Sequence, residues 1–254
     1  MSDVVLLERR GAVQVITINR PQVRNALDAA VAKAVAAAVD ELDESEDLRV
    51  GVLTGAGGTF SAGWDFNAFL RGESPAIEGR GLCGIVKTPP RKPLIAAVEG
   101  WALAGGFELA LACDLIVASR TAQFGVPEVR RALVARAGAA LLLPRRIPYA
   151  LALEMLLTGS PIGASRAAEV GLINRITDEG GALAGALELA GTIASNGPLA
   201  VAATKLIARS SHDWTLPEAW DKQAEITEPV FASFDSTEGA TAFLEKRPPV
   251  WRGR

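Results

Sequence analysis

The chain has 254 residues, 49% hydrophobic and 22% charged, which is enough apolar material for a sizeable core and too much for a disordered polypeptide. Its formal net charge is −3, with Lys and Arg scattered rather than striped, which argues against nucleic acid as the main partner. Two cysteines, Cys83 and Cys113, and one histidine, His212, give neither a disulfide framework nor a spacing of metal ligands.

The opening stretch MSDVVLLERR carries an acid at position 3, and its apolar run is broken by Glu8-Arg9-Arg10. It reads as a poor signal or transit peptide. No apolar run reaches membrane-spanning length, so a soluble cytoplasmic protein without a membrane partner is expected. Val13–Ile18 is β-branched and ends at the turn signal Asn19-Arg20-Pro21. Residues 28–42 carry apolar positions at helical spacing, with Asp28 as the N-cap. Residues 50–54 read as a buried strand closed by Gly55-Ala56-Gly57-Gly58. This glycine run is neither G-x-G-x-x-G nor a phosphate loop followed by Lys-Ser/Thr. Leu94–Val98 and residues 115–118 read as further strands, and the alternation predicts an α/β protein with crossover connections.

After about residue 145 the strand signals fade. Residues 150–158, 165–170, 181–195, 198–209, 217–234 and 236–245 favour helix. The expected organisation is an α/β core over 1–197 and a helical C-terminal region over 198–254.

The chemistry centres on ALAGGFELALACDL, residues 102–115, where Glu108 stands in an apolar stretch after Gly105-Gly106. A lone buried carboxylate is costly, so a glutamate here calls for partners. Glycines at a helix start let backbone N–H groups approach a ligand closely, and the helix dipole favours negative charge there. Taken alone, Glu108 reads as a helix cap, Glu128 as a turn acid after Val126-Pro127, and His212 as a surface residue. With no G-x-S-x-G elbow in the chain, a serine triad is unsupported. The chemistry must rest on carboxylates, backbone amides or small polar groups.

Two further segments, GTFSAGWDF at 58–66 and QFGVPE at 123–128, join Asn19-Arg20-Pro21 and Asn25-Ala26-Leu27 in one pattern. That pattern, continued by TGSPIGASRAAEVGLINRI and AFLEKRPPVWRGR, resembles the enoyl-CoA hydratase/isomerase, or crotonase, family over almost the whole chain. The resemblance implies an α/β fold built as a crotonase-like spiral of ββα units with a helical C-terminal trimerisation region. It implies homotrimers or homohexamers. It also implies an acyl-CoA substrate, with coenzyme A as part of that substrate and no separate cofactor or metal.

Carried over position by position, the resemblance assigns the oxyanion hole to the backbone N–H groups of Trp64 and Gly105, and the catalytic acids to Glu108 and Glu128. Glu108 is assigned to the water and Glu128 to proton transfer at the α-carbon. Two close carboxylates in an apolar site should have their pKa values pushed apart. Ala62, Asp65, Phe66, Asn67 and Arg24 are the candidates for CoA binding, with Phe243 and Lys246 from the last helix. The implied activity is reversible addition of water to a 2-enoyl-CoA. The alternatives are a double-bond isomerase, a dehydratase of a specialised acyl-CoA, and a catalytically silent acyl-CoA binder.

One departure stands out. Where many hydratases continue G-x-x-P-G-x-G-G after P-E, this chain has Ala132, Ala135, Arg136 and Ala139 in place of the first glycine, the proline, the next glycine and the last. An arginine there would block water, read a polar acyl group, or point away. Arg130, Arg131, Arg136, Arg145 and Arg146 form a local basic cluster that would attract CoA phosphates, serve as a solvated face or meet another subunit.

Overall fold

The computed structural model describes residues 3–254; Met1 and Ser2, the start of the stretch read as a poor signal peptide, lie outside the described residues. The first half holds β1 (Val5–Arg10), β2 (Val13–Ile18), α1 (Ala29–Glu44), β3 (Val50–Gly55), α2 (Phe66–Leu70), β4 (Ala76–Ile77) and β5 (Gly81–Leu82). It continues with β6 (Leu94–Val98), β7 (Trp101–Leu103), α3 (Gly105–Ala112), β8 (Leu115–Ser119), β9 (Gln123–Gly125) and α4 (Ala139–Arg146). The second half holds α5 (Tyr149–Thr158), β10 (Ile162–Gly163), α6 (Ala164–Glu169), β11 (Arg175–Thr177), α7 (Ala182–Ala194), α8 (Pro198–Ser210), α9 (Leu216–Phe231) and α10 (Phe234–Glu245).

A six-stranded sheet runs in the order β1-β2-β3-β6-β8-β11. Only β1 and β2 pair antiparallel, through a hairpin turned at Gly11; the remaining neighbours are parallel. Parallel strands are covered on both faces, which is why β3 and β6 read as near-continuous apolar runs. One face carries Val13, Val50, Val52, Ile95 and Val117, packed against Ala182, Ala186 and Ala190 of α7. Alanine at every fourth position lets that helix lie close to the sheet. The opposite face carries Ile16, Ile18, Leu53, Ala96 and Val98 and packs against α1 and α3 in the main core. As expected, Asp28 caps α1, accepting from the Val31 amide at 2.9 Å.

The spiral is made by strands that leave this sheet. After β6 the chain bends at Gly100, whose φ is +53°, and a Cβ there would lie 2.4 Å from the Gly58 carbonyl oxygen. Only glycine fits both the conformation and the space. β7 then enters a second sheet of order β10-β9-β7, and α3 follows it. β8 and β9 repeat the move and deliver the chain to a 3-10 turn, Pro127–Arg131. The site lies where the two repeats end.

The sequence reading needs correction in two places. The region after residue 145 contains β10 and β11, which are two and three residues long and too short to show a period-2 pattern. The two helices expected over 217–234 and 236–245 are present, but their boundary shifts: α9 ends at Phe231, and α10 already starts at Phe234 because the Ser233 hydroxyl caps it, accepting from Ser236 N at 3.1 Å. In the single chain α8 and α9 bury none of their residues, and Leu216, Trp220, Phe231 and Phe243 are exposed. Among the described residues no helix is long and apolar enough to cross a membrane, and no three His, Cys, Asp or Glu side chains cluster as metal ligands.

Candidate active site

The site starts from a seam between two chain segments. Ser61 N donates to Trp101 O at 2.9 Å and Leu103 N donates to Ser61 O at 3.0 Å, so the segment after β3 runs alongside β7. The Ser61 hydroxyl donates to Asn25 O at 2.8 Å and accepts from Gly63 N at 3.1 Å. Leu27 N donates to Gly63 O, and Asp65 N donates to Leu27 O. Leu27 therefore spans the residues on either side of Trp64, and the Trp64 N–H points the other way. Among the described residues no protein acceptor takes up that N–H.

Gly105 is the first residue of α3, and its N–H has no acceptor within the helix. The residue before it, Ala104, has φ +50° and ψ −129°, a conformation rarely adopted by a non-glycine residue. Its N–H donates to Gly125 O at 2.9 Å, which ties the start of α3 to β9. A Cβ built on Gly63 would lie 3.0 Å from Gly105 N, so the two segments are in contact. The two free amides, of Trp64 and Gly105, belong to these touching segments.

Glu108 follows in the first turn of α3 and is only 3% exposed. Its Oε1 accepts from Ala137 N at 2.8 Å and Ala139 N at 3.0 Å. Ala139 opens α4, so the carboxylate sits at the positive ends of two helices. Burial nevertheless dominates and holds its pKa above the ordinary value; the amides and the Arg136 charge pull the other way without cancelling it.

Glu128 is placed by the 3-10 turn that Pro127 opens. Its Oε2 is sealed from solvent and has no hydrogen-bond partner. Burial pushes its pKa up to about 7, opposed by its own backbone amide; the Glu108 charge raises it further and Arg131 lowers it. The two acids therefore lie within reach of each other's fields, and one is half-protonated near neutrality. The segment from 128 to 139 reaches back over the first seam, because the Arg136 guanidinium stacks 5.7 Å from the centre of the Trp64 ring.

The structure also brings the first CoA candidates together. Ala62 N donates to Arg24 O at 2.9 Å, and Arg24 and Asn25 both take left-handed conformations. The buried Asn25 side chain accepts from Arg20 N and donates to the Ala56 and Thr59 carbonyls, which fixes this corner. The Asp65 carboxylate is already occupied: it pairs with Arg20 at 3.0 Å and caps α2 through Asn67 N and Ala68 N. Phe66 and Asn67 are exposed on the first turn of α2. Phe243 and Lys246 stand on α10 among the C-terminal helices, Lys246 as its left-handed C-cap.

The five grouped arginines part ways. Arg130 binds Thr158 O and Ser160, Arg145 pairs with Asp213, and Arg146 donates to Cys113 O. Arg131 and Arg136 instead stack on Phe66 and Trp64. His212 is exposed. The sequence reading missed the amides of Ala137 and Ala139, since any residue supplies an N–H. It also missed Arg20 and the Ser61 hydroxyl as props of the seam, although Arg20 in N-R-P and Ser61 in S-A-G were visible.

The strand-and-helix spiral, carrying two free amides, the buried Glu108 and the half-buried Glu128, is a crotonase fold, and the chain belongs to the enoyl-CoA hydratase/isomerase family, whose pattern it matches over residues 8–254. It is similar to enoyl-CoA hydratase EchA19 of Mycobacterium tuberculosis, 41% identical with 98% of this chain and 96% of that protein covered. Carnitinyl-CoA dehydratase of Escherichia coli is 38% identical, with all of both chains covered. Among solved structures, enoyl-CoA hydratase EchA1 from Mycobacterium marinum superposes with a TM-score of 0.98 at 55% identity, again covering all of both chains.

Proposed function

We propose that the protein is an enoyl-CoA hydratase that adds water reversibly across the double bond of a 2-enoyl-CoA to give a 3-hydroxyacyl-CoA. The observation that carries this reading is the charge-coupled pair of acids, buried Glu108 and half-buried Glu128, together with the unpaired amides of Trp64 and Gly105. The thioester oxygen sits between the two amides, which stabilise the enolate-like charge that collects there. Each such donor contributes about 3–4 kcal/mol to the barrier reduction. Glu108 orients the water and takes its proton as the oxygen bonds to the β-carbon. Glu128, protonated on the unpartnered Oε2, delivers a proton to the α-carbon. A pKa of about 7 suits a group that must give and regain a proton near neutrality. The transferred protons balance: water supplies one to Glu108, Glu128 supplies one to carbon, and exchange between acids and solvent resets the pair.

CoA lies along Arg24, Ala62 and the 65–67 segment. Phe243 and Lys246 approach it from the C-terminal region of a neighbouring subunit. The exposed apolar residues of α9 and α10 support a homotrimer, or a hexamer made from two. The chemistry uses no cofactor beyond the CoA of the substrate, and the protein works in the cytoplasm, in lipid metabolism. The reverse direction, dehydration of a polar 3-hydroxyacyl-CoA, uses the same groups and is the second reading, favoured by the arginines at the site.

Crotonyl-CoA is the first test. Its conjugated-enoyl absorbance should fall on mixing with the protein, with solvent oxygen entering the product. Glu128→Gln should lower kcat by about 10²–10⁴-fold while CoA-ester binding persists. Deuterium exchange at carbon without incorporation of solvent oxygen would establish an isomerase instead, and tight binding without turnover across enoyl-CoA lengths a silent binder.

A further inference from the structure

Resting on the reading of the site as an acyl-CoA pocket, the structure allows the acyl group itself to be narrowed. Three aromatic rings from the short segment that follows the Ser61–Gly63 seam form a ladder. Trp64 meets Phe69 edge-on with centroids 5.0 Å apart, and Phe69 meets Phe66 edge-on at 6.5 Å. A guanidinium caps each end: Arg136 lies 5.7 Å from the Trp64 centroid and Arg131 lies 5.7 Å from the Phe66 centroid. Among the described residues neither guanidinium forms a hydrogen bond or an ion pair with a side chain, although most arginines of this chain do. A third donor is also left over. The Trp64 indole N–H is sealed from solvent and has no acceptor, and a buried donor without a partner is costly.

The carboxylates that sense these cations are the two already committed to the reaction. The Arg136 charge is felt at Glu108 and the Arg131 charge at Glu128. Glu108 has its Oε1 taken up by two backbone amides. A plain alkyl chain entering beside Arg136 would displace water from its exposed guanidinium and offer no acceptor in return. A chain carrying a cation would be repelled by both guanidiniums. A chain carrying a carboxylate supplies acceptors to the Arg136 guanidinium in the fork geometry that guanidinium groups favour.

We infer that Arg136, stacked on Trp64 above the oxyanion-hole segment, determines specificity and selects acyl-CoA substrates whose acyl chain bears a carboxylate. Arg131 adds to the same field from the other end of the ring ladder.

Binding of unreactive saturated thioesters tests this apart from turnover. Glutaryl-CoA and pentanoyl-CoA share a chain length and differ in the terminal carboxylate. Calorimetric titration of the full-length protein should show glutaryl-CoA binding at least about tenfold more tightly, the size of one charge-assisted hydrogen bond. Arg136→Met should bring the ratio close to one, and Arg136→Lys should retain part of it. With the matching 2-enoyl-CoAs, the ratio of kcat/KM should follow the same order and fall mainly through KM. Equal affinities in the unaltered protein, or a ratio untouched by Arg136→Met, would overturn the inference and leave the hydratase reading standing. Charge-selective binding without hydration of either enoyl-CoA would do the reverse.

Discussion

The two walls of the site are built in opposite ways. The wall formed by residues 61–64 and α3 is packed shut: Ser61, Gly63, Gly105 and Glu108 are buried, and their neighbours are fixed by backbone bonds. The wall formed by residues 128–139 is open. Val129 to Val134 and Arg136 are exposed, Glu128 keeps an unpartnered oxygen, and Ala132 holds a left-handed conformation. On the proposed reading the first wall carries the groups that stabilise charge on a thioester, a requirement shared by every acyl-CoA. The second carries the residues in which this chain departs from the family pattern. That reading assigns chemistry to the rigid wall and substrate choice to the one that can vary.

The most damaging change should be on the rigid wall. Gly63 has φ +93°, and an added Cβ would lie 2.8 Å from Ala104 Cβ, 2.9 Å from Leu103 O and 3.0 Å from Gly105 N. Gly63→Ala must push the Gly63–Trp64 segment away from the start of α3, and with it the two amides of the proposed oxyanion hole. Its kcat for crotonyl-CoA should fall about 10²–10³-fold, equivalent to the loss of one donor at about 3–4 kcal/mol. The melting temperature should drop as well, since a side chain in that conformation costs about 1–2 kcal/mol. A variant within about threefold of the original rate, measured at saturating substrate, would show that the seam does not set the hole.

A smaller effect belongs to the open wall and depends on pH. The Glu128 pKa rises from 4.5 to about 7 on folding, so the native protein holds that proton more tightly than the unfolded chain. Stability is then highest below about 4.5 as far as this group is concerned, and falls as pH rises through the window up to about 7. Above it the ionised Glu128 destabilises the fold by about 1–2 kcal/mol, after discounting for the partial exposure of the side chain. Glu128→Gln should remove that slope and leave the variant more stable than the original at about pH 8. Urea unfolding curves across pH would show it, and parallel pH profiles for the two proteins would rule it out.

These contrasts explain how much was legible in the chain. The strands of the large sheet were readable because burial on both faces makes β3 and β6 continuous apolar runs, and α1 because Asp28 announces it. β7 and β9, which carry the site, were not: each has three residues, and their pairing is decided by distant segments. Glu108 was conspicuous as an acid in an apolar run. The groups that hold it are backbone amides of Ala137 and Ala139, about which residue type says nothing. Arg136 was visible as a departure, but its stacking on Trp64 joins residues 72 positions apart and needs the fold to appear.

The smallest expected effect isolates the cost of that open wall. Ala132 closes the 3-10 turn after Glu128 with φ +55° and ψ +31°, and its N–H donates to the carbonyls of Glu128 and Val129. A left-handed alanine costs about 1–2 kcal/mol, and glycine there would recover this less the about 0.5–1 kcal/mol it loses by ordering a more flexible chain. Ala132→Gly should therefore stabilise the protein by about 0.5–1 kcal/mol, raising the melting temperature by about 2–4 °C at most for a chain of this size. Exposure of the residue leaves no side-chain packing to lose. If the alanine is kept because it stiffens the turn that aims Glu128, the same variant should show a lower kcat despite its higher melting temperature. A gain in stability with unchanged kcat would instead mean that Pro127 and the turn's hydrogen bonds position the acid without help from residue 132.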